Sequence, residues 1–335
     1  MSPNDKNRKP MTRNPMTRKK QRIDDLAAAT GEPSVREAGT VAGGEGTSLL
    51  ASAWNRLRRN PAFLFGAFLT LLVIVVAILA PWLAPHDPTA QDLIKKVSPT
   101  TNPVPGPEPG YPLGADGTLG RDLLSRLIWG SRQTLQIGFF ATLCGFFGGL
   151  VLGTLAGAFG GWVDSIVMRL VDLMLSVPSI LLAITVATLF GSPSQWSLIV
   201  AIGIVQVPIF ARLLRGSMMA QRHSDHVLAA EALGVKRGAI IRRHMLPNSL
   251  APVLVQATLV MASSIIDAAG LTFLGLGPAS DDAPEWGQML GKSQDLFEQF
   301  PQLAIYPAVC IIITALGFTL MGESLREALD PKSRR

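Results

Sequence analysis

Residues 225–247 read DHVLAAEALGVKRGAIIRRHMLP and separate two long apolar runs. The stretch is basic, and its composition predicts two short helices interrupted at Gly234, because glycine readily takes the left-handed conformation that ends a helix. Residues 235–245 are predicted to form the second helix, and Pro247 suits the first turn of the apolar helix that follows. A helical hairpin held outside the membrane between two spans indicates a contact site for another protein.

The composition of the 335-residue chain is typical of a membrane protein, since 48% of its residues are hydrophobic and its mean hydropathy is +0.33. The net charge of +6 does not indicate nucleic-acid binding, because the basic residues cluster in the N-terminal tail and beside the apolar runs. Cys144 and Cys310 both lie within apolar runs, which excludes a disulfide framework. The first apolar run starts only near residue 62, so we expect an uncleaved anchor rather than a signal peptide.

Six apolar runs predict an all-α, polytopic membrane protein with both termini in the cytoplasm. The spans are predicted at residues 62–83, 135–159, 166–190, 196–211, 250–273 and 303–321. Residues 1–51 lack apolar periodicity and are predicted to form a disordered basic cytoplasmic tail, which leaves residues 52–335 as the membrane domain. The loop 212–249, which contains residues 225–247, would then be cytoplasmic.

Small and charged residues within the spans predict contacts between helices. Gly145, Gly149, Gly153 and Gly157 recur once per helical turn, which predicts a groove that another helix, from this chain or a partner, approaches closely. In the third span Arg169 and Asp172 are three residues apart, so they can pair on one face.

Asp267 lies within the fifth predicted span. An ionisable side chain there is costly and marks a functional site by default, so Asp267 is a candidate residue of a transport pathway or gate. The alternative is a hydrogen bond between helices near the outer end of the span, which the late position of Asp267 favours.

The stretch 225–247 resembles the cytoplasmic coupling loop of bacterial ABC importer permeases. That family's pattern is Glu-Ala-Ala, three residues, Gly, nine residues, Ile, one residue and Leu-Pro. The matching positions in this chain are Ala229, Ala230, Gly234, Leu246 and Pro247. The chain departs from the pattern at Leu228 and His244, as the peptide-importer branch often does. The resemblance implies that the matching residues couple the chain to an ATPase.

Three further stretches resemble the same family in the same order along the chain. They are LGADGTLGRD at 113–122, LTFLGLGPASDDAPEWGQML at 271–290 and GESLREALDP at 322–331. Asp122 is also predicted to cap a helix on local grounds. The resemblance covers about residues 52–335 and implies a type I ABC importer permease of the dipeptide, oligopeptide and nickel branch, of its second-permease type.

The resemblance also implies partners and a location. We expect four partners: a homologous second permease, two ABC ATPase subunits that bind the ATP, an extracytoplasmic solute-binding protein and membrane lipid. The expected location is the cytoplasmic (inner) membrane of a bacterium. Peptides are the expected substrate because of the branch, and nickel or another small solute is the alternative.

Several kinds of chemistry are missing from the sequence. It has no Gly-x4-Gly-Lys-Ser/Thr phosphate loop, no His-Glu-x-x-His or cysteine-rich metal pattern, and no evident Ser, His and Asp arrangement. We therefore expect a transport subunit without its own cofactor or metal, and not an enzyme. An ATP-independent secondary transporter or channel is the other class, but it would be expected to show an inverted repeat or several intramembrane ionisable residues.

Overall fold

The computed structural model describes residues 54–278, 280 and 282–329, so the predicted tail of residues 1–51 lies outside the described residues. Within this part the chain forms helices, with only isolated β-bridges between residues 98 and 122. The helices are α1 (Pro61–Leu83), α2 (Leu123–Phe159), α3 (Gly161–Ser176), α4 (Ser179–Leu189), α5 (Gln195–Gln221), α6 (Asp225–Ala232), α7 (Arg237–Ile240), α8 (Leu246–Phe273), α9 (Trp286–Lys292) and α10 (Gln302–Leu329).

Five described helices are long and apolar enough to cross a membrane: α1, α2, α5, α10 and the continuous helix Arg237–Phe273, which joins α7, a π turn (Ile241–Met245) and α8. The pair α3 and α4 is bent by 100° and forms either a broken sixth span or a re-entrant loop. The break falls at Pro178, which lacks the N–H that would continue the helix. The predicted all-α, polytopic membrane fold is confirmed.

Three helices extend beyond the predicted spans, because a membrane span and a helix do not end at the same residue. α2 begins at Leu123 rather than at residue 135, since Asp122 caps it and accepts a hydrogen bond from the Ser125 amide at 3.0 Å. α5 continues through the first ten residues of the predicted loop 212–249, and α10 continues past residue 321. Charged residues end an apolar run without interrupting backbone hydrogen bonds.

The glycines of α2 form its contact with α5. Gly145, Gly149, Gly153 and Gly157 face, in this order, Gln206, Phe210, Leu214 and Met218. A Cβ atom added at Gly149 would lie 2.3 Å from the Phe210 Cβ, so only glycine allows this approach. The paired numbers rise together, so α2 and α5 run in the same direction. The predicted small-residue groove is confirmed, and α5 of the same chain fills it.

The helix bundle has two ends. We call the end that carries residues 222–247 the basic end and the opposite end, covered by residues 84–122 and α9, the capped end. Trp54 and Trp162 are exposed at the basic end, and Trp82 and Trp196 are exposed at the capped end. Exposed tryptophans at both ends of apolar helices are typical of the two membrane–water interfaces.

One of the stretches that resemble the permease family, residues 271–290, packs on α2 at the capped end. The Trp286 indole N–H donates to the Leu127 carbonyl at 2.9 Å, and the ring occupies the space that Gly130 leaves open. Glu285 is fully buried and accepts hydrogen bonds from the Gln288 amide at 2.8 Å and from the Thr134 hydroxyl at 3.1 Å. These contacts attach α9 to the first turns of α2.

The capped end also holds a group of charged residues. Asp116 lies 2.8 Å from the Arg121 guanidinium and 2.7 Å from the Nε of Arg126. Lys292 lies near this group, and partial burial, followed by the positive charges of Arg121 and Arg126, lowers its pKa to about 8.

Candidate functional site

Residues 225–247, which we call the polar segment, begin with α6 (Asp225–Ala232). α6 ends in a Schellman motif, in which the Val235 N–H donates to the Ala230 carbonyl at 3.1 Å and the Gly234 N–H donates to the Glu231 carbonyl at 2.9 Å. Gly234 has a φ of +71°, a conformation that side chains disfavour. The helix break predicted at Gly234 is confirmed.

One face of α6 is buried against the membrane helices. Val227 is 1% exposed and Ala230 is 7% exposed. They pack in a cluster with apolar side chains of α2, α5, α7 and α8 and of the π turn. The buried members of this cluster from the neighbouring elements are Ala158, Phe210, Leu214, Met218, Ile240, Met245, Val253 and Val260. The polar segment is therefore anchored to the ends of the spans by the same apolar packing that forms a protein core.

The polar segment also exposes apolar side chains, beside exposed charged ones such as Asp225 and Glu231. Leu233 is 83% exposed, Leu228 is 48% exposed and Val235 is 38% exposed, and Ala229 is exposed beside them. Exposed apolar side chains on an anchored segment are typical of a contact surface for another molecule.

The second half of the polar segment is continuous with α8. α7 covers only Arg237–Ile240, and the π turn Ile241–Met245 connects it to α8. The predicted helix 235–245 is thus confirmed in type but begins two residues later, and it includes a π turn, a feature frequent at functional sites. Leu246 is half-buried at the start of α8, and Pro247 is exposed in its first turn, as predicted.

Two arginines of this region were not singled out by the sequence. Arg222 and Arg237 flank α6 and donate to backbone carbonyls at the C-terminal end of α2. No local pattern reveals such contacts, because the residues joined lie 64 to 79 positions apart.

Two acids of α3 pair with arginines of α5 near the basic end. Asp164 binds Arg215, with 2.6 Å between Oδ2 and Nη2, and Asp172 binds Arg212 at 2.7 Å. The pairing of Arg169 with Asp172 that the sequence allows is not formed, because Asp172 binds Arg212 instead. Their spacing permits a contact along one helix, but α5 places Arg212 within reach of the same carboxylate.

Asp267 lies apart from the polar segment. It is twenty residues beyond Pro247 along α8, about 30 Å at the helical rise. The Gln206 side-chain amide of α5 donates to Asp267 Oδ2 at 3.2 Å and lies 3.5 Å from the Ser263 hydroxyl. The interhelical hydrogen bond expected as the alternative to a pathway role is therefore present.

Metal chemistry finds no support in the part of the chain that the structure describes. No group of three or more His, Cys, Asp or Glu side chains lies close enough to hold an ion there. His226 and His244 have ring centroids 6.3 Å apart, and the Asn248 amide nitrogen lies 3.2 Å from His226 Nε2. This pair belongs to the hydrogen bonding that fixes α6 to α8.

Comparisons with known proteins agree with this geometry. Residues 149–335 match the family described as binding-protein-dependent transport system inner membrane component, and residues 48–101 match the N-terminal transmembrane domain of oligopeptide transport permease C. A chain of the MetNI methionine ABC transporter, solved in inward-facing conformations, has a TM-score of 0.50 at 22% identity, with 61% of this chain and 96% of that chain covered. That likeness supports the fold.

Relatives with curated names are closer in sequence. The dipeptide transport system permease protein DppC of Alkalihalophilus pseudofirmus is 40% identical over 84% of this chain and 90% of its own length. The di/tripeptide permease DppC of Pseudomonas aeruginosa is 39% identical over 85% and 93%, and the glutathione permease GsiD of Pectobacterium atrosepticum is 38% identical over 83% and 90%. The chain therefore belongs to the family of binding-protein-dependent inner membrane components, the permeases of ABC importers, and within it to the second-permease type.

Proposed function

We propose that the polar segment of this permease docks on an ABC ATPase subunit and transmits ATP-driven movement to the spans. The observation that carries this proposal is the set of exposed apolar side chains around Leu233 on a segment that is anchored by packing and continuous with α8. Ala229 lies on the docking face, Ala230 anchors α6, and Gly234 ends it. Leu246 and Pro247 set the start of α8, so a displacement of α6 reaches the span directly.

The mechanism follows from this continuity. Closure of an ATPase dimer moves the polar segment, and the joined helices α5 and α8 tilt, which switches a central cavity between inward-facing and outward-facing states. ATP must bind the outward-facing assembly better than the inward-facing one, because a ligand with equal affinity for both states shifts no equilibrium.

The charge distribution supports a cytoplasmic basic end and cytoplasmic termini. With both termini inside, the predicted spans leave residues 84–134, 191–195 and 274–302 outside, and these hold six of the 30 lysines and arginines in the chain. These six are Lys95, Lys96, Arg121, Arg126, Arg132 and Lys292. Such asymmetry orients bacterial membrane proteins with the basic loops inside.

The substrate and the partners are inferred from the relatives. The similar permeases are named for dipeptides, di- and tripeptides and glutathione, which favours a di- or oligopeptide as the solute here. A homologous second permease would complete the pathway, two ATPases would bind the ATP, and an extracytoplasmic binding protein would deliver the peptide to the capped end. The setting is the inner membrane of a bacterium.

The experiment is a mild-detergent purification of the tagged chain from its own membranes, combined with peptide uptake into energised and ATP-depleted cells. We expect a second six-span permease and ATPase subunits to co-purify, and uptake to stop without ATP. Recovery of the chain alone, with uptake that survives ATP depletion, would instead indicate a secondary carrier. A Leu233→Asp chain should lose the ATPases while retaining the second permease, with Leu233→Met as the matched control.

A further inference from the structure

The basic end contains a contact between the polar segment and α2, a helix that is not its neighbour along the chain. We propose that Arg222 and Arg237 are positioning residues that make α2 move together with the polar segment. This inference rests on the proposed docking function, and it adds α2 to the helices that respond to the ATPase.

Both arginines bind the carbonyl groups that end α2. Arg222 Nη2 donates to the Gly157 carbonyl at 2.7 Å and to the Ala158 carbonyl at 3.1 Å. Arg237 Nη2 donates to the Ala158 carbonyl at 2.8 Å and to the Phe159 carbonyl at 3.3 Å. The last carbonyls of a helix lack partners within the helix and carry partial negative charge, so a guanidinium is well suited to them. Hydrogen bonds from a charged donor are also stronger than neutral ones.

The residue that follows α2 makes room for this contact. Gly160 has a φ of +67°, and a Cβ atom added there would lie 3.1 Å from Arg222 Nη2. A side chain at position 160 would therefore be strained in the backbone and would also crowd the guanidinium. The glycine both turns the chain after α2 and leaves its terminal carbonyls open to the arginines.

The two arginines that bind the end of α2 lie on either side of α6 in the sequence. Arg222 directly follows α5, and Arg237 begins α7, so α6 lies between them in sequence. The glycine contact with α5 fixes α2 along its length, and the arginines fix its end. α2 is 37 residues long, about 55 Å. Its other end carries the Trp286 contact, so movement at the polar segment reaches the capped end through one helix.

The first test measures transport efficiency in the complete importer, reconstituted in vesicles with its binding protein and a saturating dipeptide. The variants are Arg222→Ala, Arg237→Ala and the double change, with Arg58→Ala as a control that removes an exposed arginine elsewhere at the basic end. We expect ATP hydrolysis to continue while the peptide moved per ATP falls about tenfold in the double variant, a typical size for coupling between sites. Arg237→Lys in place of Arg237→Ala keeps a charged donor, so it should restore most of the peptide transport per ATP that the alanine change removes. Unchanged efficiency in the double variant would overturn the proposal, as would failure of lysine to restore any of it.

The second test measures the distance between the end of α2 and α6. Spin labels at Phe159→Cys, on the end of α2, and Ala232→Cys, on α6, are placed in a chain whose Cys144 and Cys310 are replaced by alanine. The distance between them should stay constant between nucleotide-free and ATP-bound complexes and should spread in the Arg222→Ala, Arg237→Ala background. A distance that changes between the two states of the otherwise unmodified complex would overturn the proposal. Failure of the docking function itself would appear separately, as loss of ATPase subunits from the purified complex.

Discussion

At the scale of single residues, Gly234 has the left-handed backbone conformation that the sequence predicts for it. Its φ of +71° is reached by an L-residue at a cost of about 1 kcal/mol. Proline, whose φ is fixed near −65°, cannot reach it and also lacks the N–H that binds the Glu231 carbonyl.

We therefore expect Gly234→Pro to abolish peptide uptake while the chain still inserts in the membrane, and Gly234→Ala to reduce uptake partially. The measurement is uptake set against chain abundance in the membrane. Gly191 has a similar φ of +75° at the other end of the bundle, with open space around it, so Gly191→Ala is the control for strain alone. Equal uptake defects in the two alanine variants would contradict a specific role for the polar segment.

Asp267 offers a second prediction at this scale. The Gln206 side chain that it binds is 2% exposed, and its Oε1 already lacks a partner among the described residues. Asp267→Ala would remove the nearer acceptor of the Gln206 Nε2 and leave it only the 3.5 Å contact with the Ser263 hydroxyl, and an unsatisfied buried polar group costs about 1–3 kcal/mol. We expect a lower thermal stability for Asp267→Ala and near-normal stability for Asp267→Asn, which can still accept the hydrogen bond.

Uptake by the same two variants separates the two interpretations of Asp267. If Asp267→Asn is stable and transports normally, the residue serves as an interhelical contact. Loss of uptake in that stable variant would support a role of the carboxylate in the pathway or gate.

At the scale of elements, the contact of α2 with α5 depends on glycine spacing. Gly149→Ala places a methyl group against Phe210, and overpacking of this kind costs about 1–3 kcal/mol. Gly216 of α5 has nothing within 4 Å of an added Cβ, so Gly216→Ala should leave stability unchanged or raise it by about 0.5–1 kcal/mol. Thermal unfolding of the two purified variants provides the measurement, and equal unfolding temperatures would contradict the close packing of α2 and α5.

The elements of this chain differ in how well the sequence predicts them. The long apolar helices, the Asp122 cap, the Gly234 break and the glycine groove each depend on local composition or spacing, and the structure contains all of them. The full lengths of α2 and α5 were missed, because polarity marks the membrane boundary and not the last hydrogen bond of a helix. The partners of Asp172, Arg222 and Arg237 were missed as well, since they depend on which helices pack together.

At the scale of the whole molecule, one asymmetry connects fold and function. The capped end is covered by residues 84–122 and α9, which pack tightly on the first turns of α2. The basic end instead carries the polar segment, which packs on the spans through α6 and exposes apolar side chains around Leu233. A covered end and an open, basic end suit a protein that meets a delivered solute on one side of the membrane and an ATPase on the other.

This asymmetry predicts a single orientation in the membrane. In a chain without Cys144 and Cys310, a cysteine at Thr101 of the capped end should react with a membrane-impermeant maleimide that is added outside an intact inner membrane. A cysteine at Leu233 should react only after the inner membrane is permeabilised, because basic loops stay in the cytoplasm. Both side chains are exposed in this chain, so in cells that lack the ATPase subunits a difference in labelling reports the side of the membrane and not burial. Labelling of position 233 before position 101 would invert the topology and would place the exposed face around Leu233 out of reach of any cytoplasmic ATPase.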